Sequence, residues 1–147
     1  MSGRVIWITG LSGSGKTILA KQVEAKLKTY KLKPIILDGD TIREALELED
    51  PAYFDEEKRL NIAFQYSKIC QILSSQGFIV IIATISMFKE IYDWNRENLP
   101  GYFEVYLKVP IEELIRRDSK RIYSKFSQGL IKNVAGLDLK IDEPTNA

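Results

Sequence analysis

Apolar and polar positions recur along this chain in two periods, and the switches between them mark out strands and helices. Arg4-Val5-Ile6-Trp7-Ile8-Thr9 is a short β-branched apolar run that ends at Gly10, the pattern of a buried parallel strand. From Lys16 on, Leu19, Val23, Leu27 and Tyr30 recur at helical spacing, with Lys21, Glu24, Lys26 and Lys28 on the other face. Lys33-Pro34 breaks that pattern, and Ile35-Ile36-Leu37 predicts a second strand running into Asp38-Gly39-Asp40. The polar stretch from Thr41 to Lys58 predicts a brief helical piece at Ile42 to Leu46 and an acidic loop at Glu47 to Asp55.

A longer helix is predicted from about Glu56 to Ser75, with Ile62, Tyr66, Ile69 and Leu73 along one side and Gly77 as its stop. Phe78 to Ala83 is almost uniformly apolar and reads as a central strand ending at Thr84-Ile85-Ser86. A short helix at Glu90 to Asn98 closes at Pro100-Gly101, Tyr102 to Val109 is a fourth strand, and Pro110 opens a helix over Ile111 to Arg117. This alternation predicts one α/β domain over residues 1–147, a parallel β-sheet flanked by helices on both faces. From Asp118 the pattern weakens. Residues 118–135 read either as a basic lid over a ligand or as a solvated face with a frayed terminus.

Composition narrows the chemistry. Lys plus Arg number 21 against 20 for Asp plus Glu, a formal net charge of +1, so no global field favours nucleic acid or an anionic membrane and phosphate affinity has to be local. The absence of histidine removes Ser-His-Asp and Cys-His catalysis and imidazole-ligated zinc. The single cysteine, Cys70, excludes an internal disulfide, and its place inside a helix reads as a small buried residue. No apolar run is long enough to span a bilayer and no leader pattern precedes Arg4, so a cytoplasmic setting is expected.

One stretch has a spacing demanded by a single chemistry: Gly10-Leu11-Ser12-Gly13-Ser14-Gly15-Lys16-Thr17 fits G-x-x-x-x-G-K-[ST], between a predicted strand and a predicted helix. Glycines let successive backbone N–H groups converge on a β-phosphate, the helix adds its positive end, Lys16 reaches the β/γ-phosphates and the Thr17 hydroxyl serves Mg²⁺. Binding of a nucleoside triphosphate is therefore expected at Gly10, Ser12, Gly13, Ser14, Gly15, Lys16 and Thr17. Ligands of open α/β sheets bind outside the carboxyl ends of the strands, which puts Asp38 and Asp40 beside this loop. Standing on alternate positions after a strand, they are expected to face opposite sides, one toward water on Mg²⁺ and the other toward an acceptor hydroxyl as general base. The competing reading of Asp38-Gly39-Asp40 is a turn that caps the next helix. Arg43 then offers a guanidinium to a phosphate or sulfate on the acceptor.

These residues resemble the adenylylsulfate kinase (APS kinase) family: the P-loop, Leu37-Asp38-Gly39-Asp40 with Arg43, Asn61-Ile62, Ile85-Ser86, Val109-Pro110, Arg117-Asp118-x-Lys120 with Tyr123-x-Lys125, and Gly136-Leu137-Asp138 followed by Glu143-Pro144. The resemblance implies a P-loop kinase fold, usually dimeric, that moves the γ-phosphate of ATP to the ribose 3′-hydroxyl of adenylylsulfate with Mg²⁺. It further implies Asp40 as the acceptor-side base, Arg43 and Asn61 on the acceptor nucleotide, Ile85 and Ser86 in the acceptor pocket, Arg117 near the ATP adenine and Lys120 in the lid.

The departures from the family are specific. Lys58 stands where the family has an arginine, with Arg59 adjacent to substitute for it, and both are expected on the acceptor; Ala63 and Phe64 replace two further arginines. The segment whose phenylalanine stacks on the acceptor adenine reads Val134-Ala135-Gly136-Leu137, which removes a stacking contribution of about 1–3 kcal/mol. Tyr53 or Phe54 could supply the other wall. The family's last strand and helix have no counterpart before Ala147. The acceptor is thus either adenylylsulfate or another modified nucleotide, such as cytidine diphosphoramidate in capsule polysaccharide assembly. A small-molecule nucleotide partner is expected, and neither nucleic acid nor membrane. A GTPase switch lacks its Asn-Lys-x-Asp and Asp-x-x-Gly segments. A non-catalytic nucleotide-binding module and a kinase of a small metabolite remain the other classes.

Overall fold

Strand β1, Arg4–Thr9, lies inside a four-stranded, wholly parallel sheet of order β2-β3-β1-β4, and the computed structural model describes residues 3–147 of the chain. Its neighbours are β3, Ile79–Thr84, and β4, Tyr102–Tyr106; β2, Ile35–Asp38, pairs with the far side of β3. In this register Trp7 sits between Ile82 and Glu104. Between the strands run α1 Lys16–Thr29, α2 Gly39–Ala45, α3 Glu56–Ser75 and α4 Lys89–Asn98; α5 Ile111–Arg117 and α6 Ile122–Ser127 follow β4.

Both faces of the sheet are covered, as strands with apolar side chains on both faces require. On one face Val5, Trp7, Val80 and Ile82 pack with Ile62, Tyr66 and Cys70 of α3 and Ile91 of α4; on the other Ile8, Ile81 and Ala83 meet Leu19, Ala20, Val23 and Leu27 of α1. Each fully buried Val, Ile or Leu of this kind stabilises the fold by about 1.5–3 kcal/mol. A third cluster at the strands' carboxyl ends joins Leu11 of the P-loop to Met87, Tyr92, Leu114, Tyr123, Val134 and Ala135.

Several local expectations are corrected. Tyr30 is exposed and lies past the end of α1, where its N–H donates to Leu27 O and the Lys31 N–H to Lys28 O, both at 3.0 Å. The buried stripe of α3 includes Ala63, Ser67, Cys70 and Ser74 as well as Ile62 and Tyr66, because a helix lying on a sheet approaches closest where its side chains are short. Phe78 precedes β3 and is exposed. Strand β4 stops at Tyr106, short of Val109, because its partner β1 gives way to the P-loop after Thr9. The last residues are not frayed: the Asp142 N–H donates to Met87 O at 3.0 Å, Tyr92 Oη to Asp142 O at 2.7 Å and Tyr106 Oη to Glu143 Oε1 at 2.8 Å.

Candidate active site

The P-loop is shaped by glycines where other residues would be obstructed. At Gly10 (φ 159) a Cβ would meet Ser14 Oγ at 2.6 Å and Leu107 O at 2.9 Å, so Gly10 and Ser14 form the back of the loop. Gly15 caps α1 in the left-handed region (φ 99), and no side chain bonds to the helix's first amides. Those N–H groups and the positive end of a fourteen-residue helix are left for an anion.

Lys16 folds over the loop and donates to Leu11 O at 2.9 Å. Burial of its ammonium and the nearby charge of Lys120 pull its pKa down to about 8, against the opposing pull of Asp38 and Asp40. Thr17 Oγ1 donates to Asp38 Oδ2 at 2.9 Å. The other oxygen of Asp38 accepts the Asp40 N–H at 2.9 Å, so Asp38 is also the N-cap of α2. Capping of α2 and a place beside Thr17 are thus compatible at Asp38.

Asp40 does not follow the strand alternation expected of it, because the chain is already helical from Gly39. Its carboxylate points across the cleft, where it pairs with Arg43 Nη2 and, at 2.7 Å, with Lys120 Nζ. Desolvation opposes ionisation, but the Lys120 hydrogen bond and charge, with Arg43 and Lys16, hold Asp40 below the usual carboxylate range. Arg43 is braced from behind, donating through Nη1 to Tyr66 Oη at 3.2 Å.

Opposite stands the end of β3. Thr84 Oγ1 and Ser86 Oγ are 2.7 Å apart, Thr9 Oγ1 donates to Ile85 O, and Ser86 holds a left-handed backbone (φ 36), a local strain that clefts commonly retain. Helix α6 closes the third side, with Tyr123 Oη donating to Ser12 O at 2.8 Å.

Together these walls enclose a cleft of about 500 Å³. Of the residues the sequence singles out, Ser12, Gly13, Gly15, Lys16, Thr17, Asp38, Asp40, Arg43, Arg59, Ile85, Ser86 and Lys120 line it. Gly10 and Ser14 support the loop from outside the lining. Three expected residues do not face the cleft. Asn61 is exposed on α3, Lys58 lies over the Phe54 ring at 4.6 Å and pairs with Glu49 at 3.7 Å, and Arg117 is exposed and bonds to Glu113 at 3.0 Å. Helical rotation decides this for Lys58 and Asn61, since Arg59 and Ile62 take the inward positions of α3.

The structure adds residues that spacing did not single out. Tyr66 reads in sequence as core, yet its hydroxyl serves Arg43 and donates to Gly39 O at 3.4 Å. Of the two candidate aromatic walls, Phe54 lines the cleft and Tyr53 is exposed. Lys125, Lys132 and Lys140 join Lys16, Arg43, Arg59 and Lys120 against Asp38, Asp40, Asp50 and Glu56, so the lining is cationic although the whole chain is nearly neutral. For Lys132 and Lys140 the only sequence signal is a charge set among apolar neighbours.

Among the described residues no set of three carboxylate, cysteine or histidine ligands converges on a metal position. The oxygens of Thr17 and Asp38 nevertheless suit Mg²⁺, a hard cation that keeps several waters and is bound through one or two protein oxygens plus substrate phosphates. No helix among the described residues is long and apolar enough to cross a membrane.

A parallel sheet whose first strand feeds a P-loop, with carboxylates at the end of the next strand and a cleft whose charged lining residues are mostly cations, defines a P-loop kinase. The adenylylsulphate kinase profile matches residues 2–147, and the chain belongs to that family. It is 43% identical over 140 residues to the cytidine diphosphoramidate kinase of Campylobacter jejuni, covering 95% of this chain and 81% of that one. It is 38% identical to the adenylyl-sulfate kinase of Pseudomonas aeruginosa, covering 95% of this chain and 71% of that one. The structure of the Mycobacterium tuberculosis APS kinase CysC in complex with AMPPNP and APS superposes with a TM-score of 0.88 at 32% identity, over 99% of this chain and 85% of that one.

Proposed function

We propose that this chain transfers the γ-phosphate of ATP to the ribose 3′-hydroxyl of a modified nucleotide, and that cytidine diphosphoramidate is the acceptor. The observation that carries the acceptor assignment is Val134, buried and lining the cleft, at the position where the family pattern places the phenylalanine that stacks on adenine. A single-ring base needs less stacking surface, and a relative that is 43% identical carries the name of that activity.

In this reading the P-loop amides and Lys16 hold the triphosphate, and Arg43 takes the anionic end of the acceptor. Thr17 and Asp38 would hold Mg²⁺, which supplies charge neutralisation at the β- and γ-phosphates. The 3′-oxygen forms its bond to the γ-phosphorus as the bond to the β-bridging oxygen breaks, ADP leaves, and the hydroxyl proton passes to Asp40. A low pKa suits Asp40 to this task, because a loose phosphoryl-transfer transition state asks for an oriented nucleophile more than for a strong base. Lys120 leaves Asp40 for the phosphates as substrates enter. Homodimerisation and a cytoplasmic setting complete the reading, following the family pattern and the buried thiol of Cys70.

Adenylylsulfate is the second reading, favoured by Phe54, which keeps one aromatic wall in the cleft. Incubation with ATP, Mg²⁺ and each acceptor, with ³¹P NMR to locate the new phosphate, separates the two. Turnover of adenylylsulfate well above that of cytidine diphosphoramidate reverses the order. ATP binding with no transfer to any nucleotide makes the chain a non-catalytic module.

A further inference from the structure

The acceptor side of the cleft has two walls from distant parts of the chain, and one side chain joins them. Arg59, on the long helix α3, donates through Nε to Phe54 O at 3.2 Å and through Nη2 to Pro51 O at 2.9 Å; the same Nη2 reaches Asn133 O, seventy-four residues away in sequence. Phe54 and Val134 stand beside those carbonyls, and both line the cleft. The far loop is pinned on its other side by Asp138, which accepts the Asn133 N–H at 2.7 Å and the Val134 N–H at 2.5 Å.

We propose that Arg59 is a positioning residue that sets the width of the acceptor-base slot, by tying the Pro51–Phe54 segment to the Asn133–Val134 segment across the cleft. A guanidinium suits the task because its planar fork serves carbonyls in two directions from one rigid group, whereas a lysine ammonium is a single point on a flexible stem. Its Nε and Nη2 donors are engaged with backbone carbonyls, and through them Arg59 acts on the walls that bound the substrate. This inference rests on the nucleotide-kinase reading and refines it: a slot of fixed width with one aromatic wall selects for a single-ring base.

The test compares wild-type protein with Arg59→Lys and Arg59→Ala, using cytidine diphosphoramidate and adenylylsulfate as acceptors. For both variants the acceptor KM is expected to rise about tenfold or more while kcat and the ATP KM move by less than about threefold, and the cytosine-over-adenine ratio of kcat/KM is expected to fall. Added guanidinium should restore part of the acceptor KM in Arg59→Ala. Equal rises in both KM values, or an unchanged base ratio, would overturn the proposal. If Arg59→Ala fails to fold, Arg59→Lys preserves the half-buried charge and carries the same comparison. Wild-type protein that phosphorylates neither acceptor defeats the nucleotide-kinase reading itself, a result distinct from an active wild type whose Arg59 variants behave normally.

Discussion

Lys120 Nζ lies 2.7 Å from Asp40 Oδ2, joining residues eighty positions apart and tying the turn between α5 and α6 to the carboxylate at the start of α2. The same carboxylate is paired with Arg43. Both partners are cations that a phosphorylated substrate would attract, so Asp40 and a bound phosphate compete for the same charges.

Removal of the Asp40 carboxylate should be the most damaging change on the acceptor side. Asp40→Asn is expected to lower kcat by roughly 10²–10⁴ with little effect on the ATP KM. Lys120→Met tests the pair itself. Because Lys120 lowers the pKa of Asp40, and Asp40 works ionised, its loss should shift the acid limb of the kcat/KM profile to higher pH. A profile displaced to lower pH, or unmoved, would contradict the assignment.

Lys16 should take up a proton when ATP binds. With its pKa near 8 in the free protein, it is partly neutral just above that pH, and bound phosphates favour the ammonium and raise the pKa. ATP affinity is therefore expected to fall as pH rises through 8 toward the pKa of the complex. Calorimetry near pH 8.5 in buffers of different ionisation enthalpy should detect uptake of a fraction of a proton that Lys16→Met abolishes. Lys16→Ala should abolish transfer; full activity in that variant would remove the P-loop from the mechanism.

Thr17 and Asp38 are expected to govern the metal dependence. Chelation with EDTA should stop transfer and added Mg²⁺ restore it. Thr17→Val should raise the Mg²⁺ concentration for half-maximal rate by about tenfold, since one oxygen of a small ligand set is lost. Asp38→Ala removes the N-cap of α2 as well, so it should also lower stability by about 0.5–2 kcal/mol, measurable by denaturant unfolding.

Val134→Phe restores an aromatic wall opposite the Phe54 side. Stacking of about 1–3 kcal/mol per base predicts a gain of roughly 5- to 150-fold in affinity for an adenine acceptor. The readout is the ratio of acceptor kcat/KM values against wild type. An unchanged ratio would mean that this position does not select the base.

The P-loop strand, α3 and the β3 core strand were legible because each element's apolar period matches its own geometry. Lys16, Thr17, Asp38, Asp40 and Arg43 were legible for a related reason: phosphate chemistry requires those residue types at short, local spacing, so their signal is contained within one or two elements. Asn61, Lys58 and Arg117 show where that reasoning ends. Each has a suitable side chain, but a rotation of α3 or an ion pair to Glu113 directs it elsewhere.

Sequence by itself determined the parallel α/β class, the triphosphate cradle and the carboxylates beside it, because these depend on local periodicity and on chemistry confined to a few neighbouring residues. Only the tertiary structure decided that β1 lies between β3 and β4, that Lys120 meets Asp40, that Tyr66 braces Arg43, and that Arg59 joins Pro51 and Phe54 to Asn133. Such contacts join residues far apart in the chain. Their existence depends on how helices rotate and loops close over the sheet, and no local pattern encodes that rotation.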